Sequence, residues 1–278
     1  MIIPFLNRFT CSKKQLPFVI QNLSKKNWSV ILDYTNENKE NHEKNFKELM
    51  NLIEIYPKQH FAVKLSSLNI ENTTMMERYI RNIVEKSIEK KSIIYIDAEN
   101  YKIQDKIGRV SDELMKQYNQ NHVNVFKTYQ MYRKDSYSIL QNDLLTDRTH
   151  HLGIKLVRGA YYNEDVKYNI LHELIGDTHM YYDEAIKFFS KYYSEKDKLL
   201  CATHNEDSIV LAKYLIEKNH LKNIEFSQLL GMSDEISTKL AKNYIVYKYL
   251  PYGKFQDTIP YLSRRLYENY PMLMYFFR

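Results

Sequence analysis

Gly153-Ile-Lys-Leu-Val-Arg-Gly-Ala-Tyr-Tyr162 is an apolar run that carries two cations and then breaks at Gly159. Side chains in a strand alternate between faces, so Ile154 and Leu156 share one face while Lys155 and Val157 share the other. If the aliphatic face meets helices, the lysine points inward. A strand buried on both faces is normally a run of Val, Ile and Leu. Lys155 in the middle of one is costly unless a counter-charge or an anionic ligand meets it. That expense suggests a site, although a lysine paired with a core carboxylate for structural reasons alone leaves the same pattern.

The stretches on either side repeat the theme. Trp28-Ser-Val-Ile-Leu-Asp-Tyr34 reads as a first strand, after a basic helix near Gln15 to Lys26 and before a helix with Phe46, Leu49, Met50 and Ile53 at helical spacing. In Phe61-Ala-Val-Lys-Leu-Ser66, Val63 and Leu65 alternate against Ala62, Lys64 and Ser66, which makes Lys64 a second inward cation. A helix follows from about Thr73, with Met76, Ile80, Ile83 and Val84 on its apolar stripe. Ser92-Ile-Ile-Tyr-Ile-Asp-Ala-Glu99 is a third strand, whose Asp97 at the C-terminal end supplies a carboxylate to offset the lysines. Val123-Asn-Val-Phe-Lys-Thr-Tyr-Gln-Met-Tyr132, the opening stretch, Leu199-Leu-Cys-Ala-Thr-His-Asn205, Ile224-Glu-Phe-Ser-Gln-Leu-Leu-Gly231 and Tyr244-Ile-Val-Tyr-Lys-Tyr249 bring the count to eight strand candidates. Strands that alternate with helices in this way predict an α/β fold, a (β/α)₈ barrel of TIM type. With only 6 Gly and no Gly-rich dinucleotide fingerprint, a Rossmann domain is disfavoured.

The 278 residues, 44% hydrophobic and 27% charged, suit one domain with one large core. Residues 1–26 read as a helical lead-in and 270–278 as a tail. The balance of 40 basic to 34 acidic residues, +6, fits a positively lined site for small anions but is too mild for a nucleic-acid binder; a solvated basic surface also accounts for it. Cys11 and Cys201 form neither a metal spacing nor a disulfide framework, which points to packed thiols in a reducing intracellular compartment. The 9 His lack a zinc-type motif, since His150 and His151 are adjacent, so no metal is expected. No run approaches the roughly 18 apolar residues of a membrane span. Residues 1–32 contain no Asp or Glu, weakly like a mitochondrial leader, but a single Arg, Pro4 and Pro17 and an early strand favour mature structure.

In a TIM barrel the chemistry sits at the C-terminal strand ends. Lys64, Asp97, Gln130, Lys155, Thr203, His204 and Tyr249 all fall near such ends, and polar groups converging on one rim favour a site over separate structural roles. The last helix, from Pro260, places Tyr261, Arg264, Arg265 and Glu268 on one face. Adjacent guanidiniums repel unless an anion bridges them, and their planar forks suit a carboxylate; a solvated charged face is the alternative.

From Ile31-Leu-Asp-Tyr34 to Glu268-Asn269 the chain resembles the proline dehydrogenases, flavin enzymes of proline catabolism, and in particular their eukaryotic-type branch. The resemblance is carried by Val63-Lys-Leu-Ser66, Ile96-Asp-Ala-Glu99, Tyr129-Gln-Met-Tyr132, Lys155-Leu-Val-Arg-Gly-Ala-Tyr161, Ala202-Thr-His-Asn205, Gln228-Leu-Leu-Gly-Met232, Tyr247-Lys-Tyr-Leu-Pro-Tyr-Gly253 and Tyr261-Leu-Ser-Arg-Arg265. Each motif is weak alone and the ordered set is specific. The resemblance implies a distorted barrel holding FAD over the strand ends, with the final helix lying across the mouth. It implies that Arg264, Arg265 and Lys64 clamp the carboxylate of L-proline while Tyr249 and Tyr261 pack on its ring. Hydroxyproline-oxidising relatives tend to carry a smaller residue at the position of Tyr249. Lys155, where bacterial relatives often have Arg, would sit by the reactive nitrogen and stabilise the reduced anionic flavin. Asp97 would be an active-site carboxylate orienting the cations. Gln130, Val157, Arg158, Gly159, Ala160, Thr203, His204, Asn205 and Glu268 fall at the family's FAD contacts.

The reaction implied is hydride removal from the ring carbon beside the amine, giving 1-pyrroline-5-carboxylate, with electrons passed on to a quinone. The family suggests a mitochondrial or membrane-associated setting. Met272-Leu-Met-Tyr-Phe-Phe277 is a candidate for peripheral membrane contact, though burial on the barrel is the expectation. The chain departs from the family in a compact segment between Tyr162 and Glu195, where relatives have a longer stretch with cofactor-holding threonines and Thr178 is the candidate here. It also lacks the extended N-terminal region and the large insertions of many eukaryotic relatives. The competing readings are a catalytically degenerate barrel serving as a binding scaffold, oxidation of a related imino acid such as hydroxyproline, and another FAD barrel of folate-reductase type.

Overall fold

The structure, a computed structural model, describes residues 8–35 and 41–253. Its strands are β1 (Ser29–Tyr34), β2 (His60–Val63), β3 (Ile94–Ile96), β4 (Val125–Gln130), β5 (Gly153–Val157), β6 (Lys198–Ala202), β7 (Ile224–Leu229) and β8 (Val246–Tyr252). They neighbour one another in chain order and close into a parallel barrel. Interleaved helices are α1 (Leu16–Ser24), α2 (His42–Ile55), α3 (Thr73–Glu89), α4 (Tyr101–Tyr118), α5 (Ser136–Leu145), α6 (Tyr162–Asp165), α7 (Ile175–Tyr192), α8 (Glu206–Asn219) and α9 (Asp234–Leu240). The expected (β/α)₈ architecture is therefore the observed one. The stripe anticipated on α3, Met76, Ile80, Ile83 and Val84, is buried.

Strand ends differ from the sequence pattern where side chains capture the backbone. The second strand stops at Val63 instead of Ser66, because the Lys64 carbonyl accepts from the Ser67 amide and the Ser67 hydroxyl (2.7 Å) and starts a 3₁₀ turn, Leu65–Leu68. The third strand is the short Ile94–Ile96. The eighth runs on through Pro251 to Tyr252. Proline cannot donate to a ladder, but the Pro251 carbonyl accepts from the Cys11 amide and from the Thr10 hydroxyl at 2.8 Å.

The described residues form two compact units, one from those up to 94 together with those from 227 onward, the other from residues 95–226. In the first, β1 lies between β2 and β8, with Asp33 in register with Ala62 on one side and Pro251 on the other. Lys248 on β8 is fully buried. Its ammonium donates to the Met232 carbonyl (2.8 Å) and to Asp234 (2.9 Å) and lies 4.7 Å from the Trp28 ring centre. Burial pushes its pKa down. Alternation then turns Tyr249 to the opposite face of the strand.

In the second unit β5 lies between β4 and β6. A Cβ on Gly153 would come within 2.3 Å of the Val125 carbonyl, so close approach of β4 and β5 requires glycine there. Lys127 and Tyr129 of β4 face the helices: Lys127 bonds Asp112 of α4 (2.7 Å) and Asp143 of α5 (2.8 Å), and the Tyr129 hydroxyl donates to Asp143. Thr128 and Gln130 therefore take the other face, and the register of Thr128 with Lys155 puts Lys155 there too. Both Cys11 and Cys201 are buried thiols, with Cys11 pushed up to about 12 by desolvation.

Candidate active site at the strand ends

In the second unit Lys155, the third residue of β5, is 4% exposed and its ammonium donates to Asp97 at 2.7 Å. Asp97 sits one residue past β3 and is buried as well. A buried charge is tolerated because its partner is buried with it. The neighbouring strand end is tied down by two further bonds: the Thr128 hydroxyl donates to the Ile96 carbonyl (2.7 Å) and the Gln130 amide to the Glu99 carbonyl (2.9 Å). Val157 closes β5, and Arg158, Gly159 and Ala160 follow it.

Arg158 is gripped on three sides. Its guanidinium donates to His179 of α7 (2.7 Å), to Thr203 just past β6 (2.5 Å) and to Ser208 of α8 (2.9 Å), and its carbon lies 4.3 Å from the Tyr182 ring centre. These direct acceptors are all neutral. The nearest acid, Asp183, is reached through the Ser208 hydroxyl. Burial lowers the Arg158 pKa, and burial followed by the Arg158 charge lowers that of His179, which accepts as a neutral ring. Asn205 caps α8 by accepting from the Ser208 amide at 2.9 Å. Gly159 has φ +142°, and a Cβ on it would lie 2.5 Å from the Tyr132 ring. The Tyr132 hydroxyl in turn donates to Asp165, whose other oxygen accepts from the Tyr101 amide at the start of α4.

In the first unit Lys64, one residue past β2, donates to Asp33 of β1 at 2.5 Å. The lysine side chain is 21% exposed and the carboxylate 1%. Tyr249 is buried within β8 and in register with Ile31.

Lys64, Asp97, Thr203 and His204 lie one or two residues past their strands and Gln130 closes β4, whereas Lys155 and Tyr249 lie inside β5 and β8; Lys64 and Tyr249 belong to one unit and the other five to the other. Asp97 is the partner of Lys155, and Lys64 bonds Asp33 on β1, a strand beside β2. Thr178 lies buried on α7. Tyr261, Arg264, Arg265, Glu268 and the stretch Met272–Phe277 lie outside the described residues. Sequence reasoning passed over Asp33, although a charge inside Val30-Ile-Leu-Asp-Tyr34 is the same signal as Lys155. It also passed over His179, Asp183 and Ser208, which carry no pattern until α7 and α8 bring them to Arg158. Among the described residues no helix is long and apolar enough to cross a membrane.

A closed parallel (β/α)₈ barrel places the molecule among the TIM-type α/β barrels. The family model for proline dehydrogenase matches residues 19–273, and the chain belongs to that family. It is 34% identical over 212 residues to proline dehydrogenase 1, mitochondrial, of Caenorhabditis elegans, covering 70% of this chain and 34% of that protein. With hydroxyproline dehydrogenase of Xenopus laevis it shares 33% identity over 215 residues, 70% of this chain and 46% of that one. With proline dehydrogenase 1, mitochondrial, of Homo sapiens it shares 32% over 224 residues, 74% and 37% of the two chains. The chain spans less than half the length of these relatives. Proline utilization A from Bdellovibrio bacteriovorus, inactivated by N-propargylglycine, superposes with a TM-score of 0.87 at 19% identity, covering 96% of this chain and 33% of that one. The same protein from Corynebacterium freiburgense gives 0.83 at 19%, with 99% and 32% covered.

Proposed function

We propose that this protein is a proline dehydrogenase: it oxidises L-proline at the ring carbon beside the amine to 1-pyrroline-5-carboxylate, using FAD and passing electrons to a quinone. The observation that carries the reading is the buried Lys155–Asp97 pair at the strand ends of a chain of this family. A paired charge at that depth is expensive to maintain as scaffold alone. The mitochondrial names of the relatives support a mitochondrial setting, with peripheral membrane contact where a quinone is reached.

The residues present fit FAD on one point of chemistry. The Arg158 guanidinium is desolvated yet held by neutral acceptors, so an anionic group completes its electrostatics, and a dinucleotide's pyrophosphate is such a group. Arg158, Gly159, Ala160, Thr203, His204 and Asn205 would hold the cofactor together with Gln130, Val157 and Glu268. When bound, FAD supplies the hydride acceptor. Lys155, fixed by Asp97, holds a positive charge in a water-poor site before the reaction begins, so no reorganisation is needed as negative charge develops. Lys64, Arg264 and Arg265 bind the substrate carboxylate, and Tyr249 and Tyr261 pack on the ring, which orients the carbon that loses hydride.

An anaerobic titration followed by flavin absorbance tests the reading: L-proline bleaches the yellow protein, and NADPH does not. Colourless protein that FAD does not reconstitute supports the scaffold alternative, and reduction by NADPH supports a folate-reductase type. The 33% identity to a hydroxyproline dehydrogenase makes hydroxyproline the second titrant. Tyr249 favours proline over it.

A further inference from the structure

Lys64 differs from Lys155 in how it is presented. Lys155 is buried together with its acid, whereas the Lys64 side chain is 21% exposed above an Asp33 that is 1% exposed. Its ammonium sits just past a strand end, on a flexible stem that would otherwise snorkel into water. Asp33 holds it by one oxygen, at 2.5 Å. The other oxygen is shut off from solvent with no hydrogen-bond partner among the described residues. An acid this deeply buried is costly unless its one bond matters.

We infer that Asp33 is a positioning residue: it pins the Lys64 ammonium at the strand end where the substrate's carboxylate arrives, and acts on that carboxylate only through Lys64. The assignment rests on the proposed proline reading and adds to it a residue that the sequence pattern does not mark as part of the site. Two effects of opposite sign compete. Asp33 neutralises Lys64, which weakens its pull on an anion, and it also fixes Lys64 in place, which strengthens that pull. The Lys64 head already reaches solvent, so without its bond to Asp33 water competes for it and its position is less sharply fixed. Loss of position therefore outweighs gain of charge.

The test uses FAD-loaded protein and three probes: L-proline, cyclopentanecarboxylate, which has the acid but no amine, and pyrrolidine, which has the amine but no acid. Equilibrium binding is measured by ligand-observed NMR for the parent, Asp33→Ala, Asp33→Asn, Lys64→Met and the Asp33→Ala/Lys64→Met pair, each checked for an intact thermal transition. Asp33→Ala should weaken L-proline and cyclopentanecarboxylate about tenfold or more, the worth of a hydrogen bond to a charged group, and leave pyrrolidine unchanged. Asp33→Asn, which keeps an acceptor and folds most like the parent, should fall between. The double variant should bind the acids no more weakly than Lys64→Met alone, since the two residues act as one unit. Unchanged or tighter binding of the acids to Asp33→Ala would show a neutraliser and overturn the assignment. Equal weakening of pyrrolidine would overturn it in favour of direct contact with the amine, and additive losses in the double variant would overturn it by separating Asp33 from Lys64. If the parent binds pyrrolidine or cyclopentanecarboxylate but not L-proline, the proline reading itself fails, a result distinct from any of these.

Discussion

Lys155 and Asp97 form a buried ion pair whose part in the proposed site and part in the core can be told apart residue by residue. Removing Asp97 takes from the buried Lys155 the carboxylate it bonds, so Asp97→Ala should cost about 3 kcal/mol in chemical denaturation. Lys155→Met combined with Asp97→Asn removes both charges and should recover most of that stability while proline turnover stays lost. Recovery of turnover in the double variant would make the pair structural. His179 adds a pH dependence. Its folded pKa is held below the ordinary histidine range by burial and by Arg158, and burial lowers those of His150 and His172 as well. The unfolded chain therefore takes up protons first as pH falls through about 6.5, and stability should decline from there down to the folded pKa values. Thermal midpoints at pH 7.5 and 5.5 measure the decline. In His179→Gln, which keeps an acceptor for Arg158 without titrating, it should be smaller.

Among the elements, the loop after β5 is the most constrained. Gly159 combines a φ of +142° with a Tyr132 ring that leaves no room for a Cβ. Gly159→Ala should cost roughly 2–3 kcal/mol from backbone strain and displaced packing. Because Tyr132 anchors Asp165 and Asp165 caps α4, the amides at the start of α4 should lose hydrogen-exchange protection in the same variant. The eight strands were legible because a buried strand is a run of aliphatics wherever it lies, and the helices because apolar residues recur on one stripe. Strand ends were less legible. Ser67 ends β2 by taking the Lys64 carbonyl, and Thr10 and Cys11 carry β8 through a proline that local rules treat as a stop. Those decisions belong to partners up to 241 residues away.

At the scale of the whole molecule the N-terminal residues complete the strand that carries Tyr249. The Thr10 hydroxyl bonds the Pro251 carbonyl, and Cys11 pairs with Tyr252 across a bridge. Thr10→Val should lower stability by about 1 kcal/mol, the net worth of one hydrogen bond, since the Cys11 amide still serves the carbonyl, with the loss read from the denaturant midpoint. What the sequence by itself determined is the alternation of buried strands and amphipathic helices, the inward placement of Lys64 and Lys155, and the family, since periodicity and ordered motifs are local properties of the chain. Only the tertiary structure decided which acid serves which lysine, and that Arg158 rests on His179, Thr203 and Ser208. Asp33 lies 31 residues before Lys64, and Asp97 lies 58 before Lys155. Separations of that kind say nothing about distance until the register of neighbouring strands sets one side chain against another.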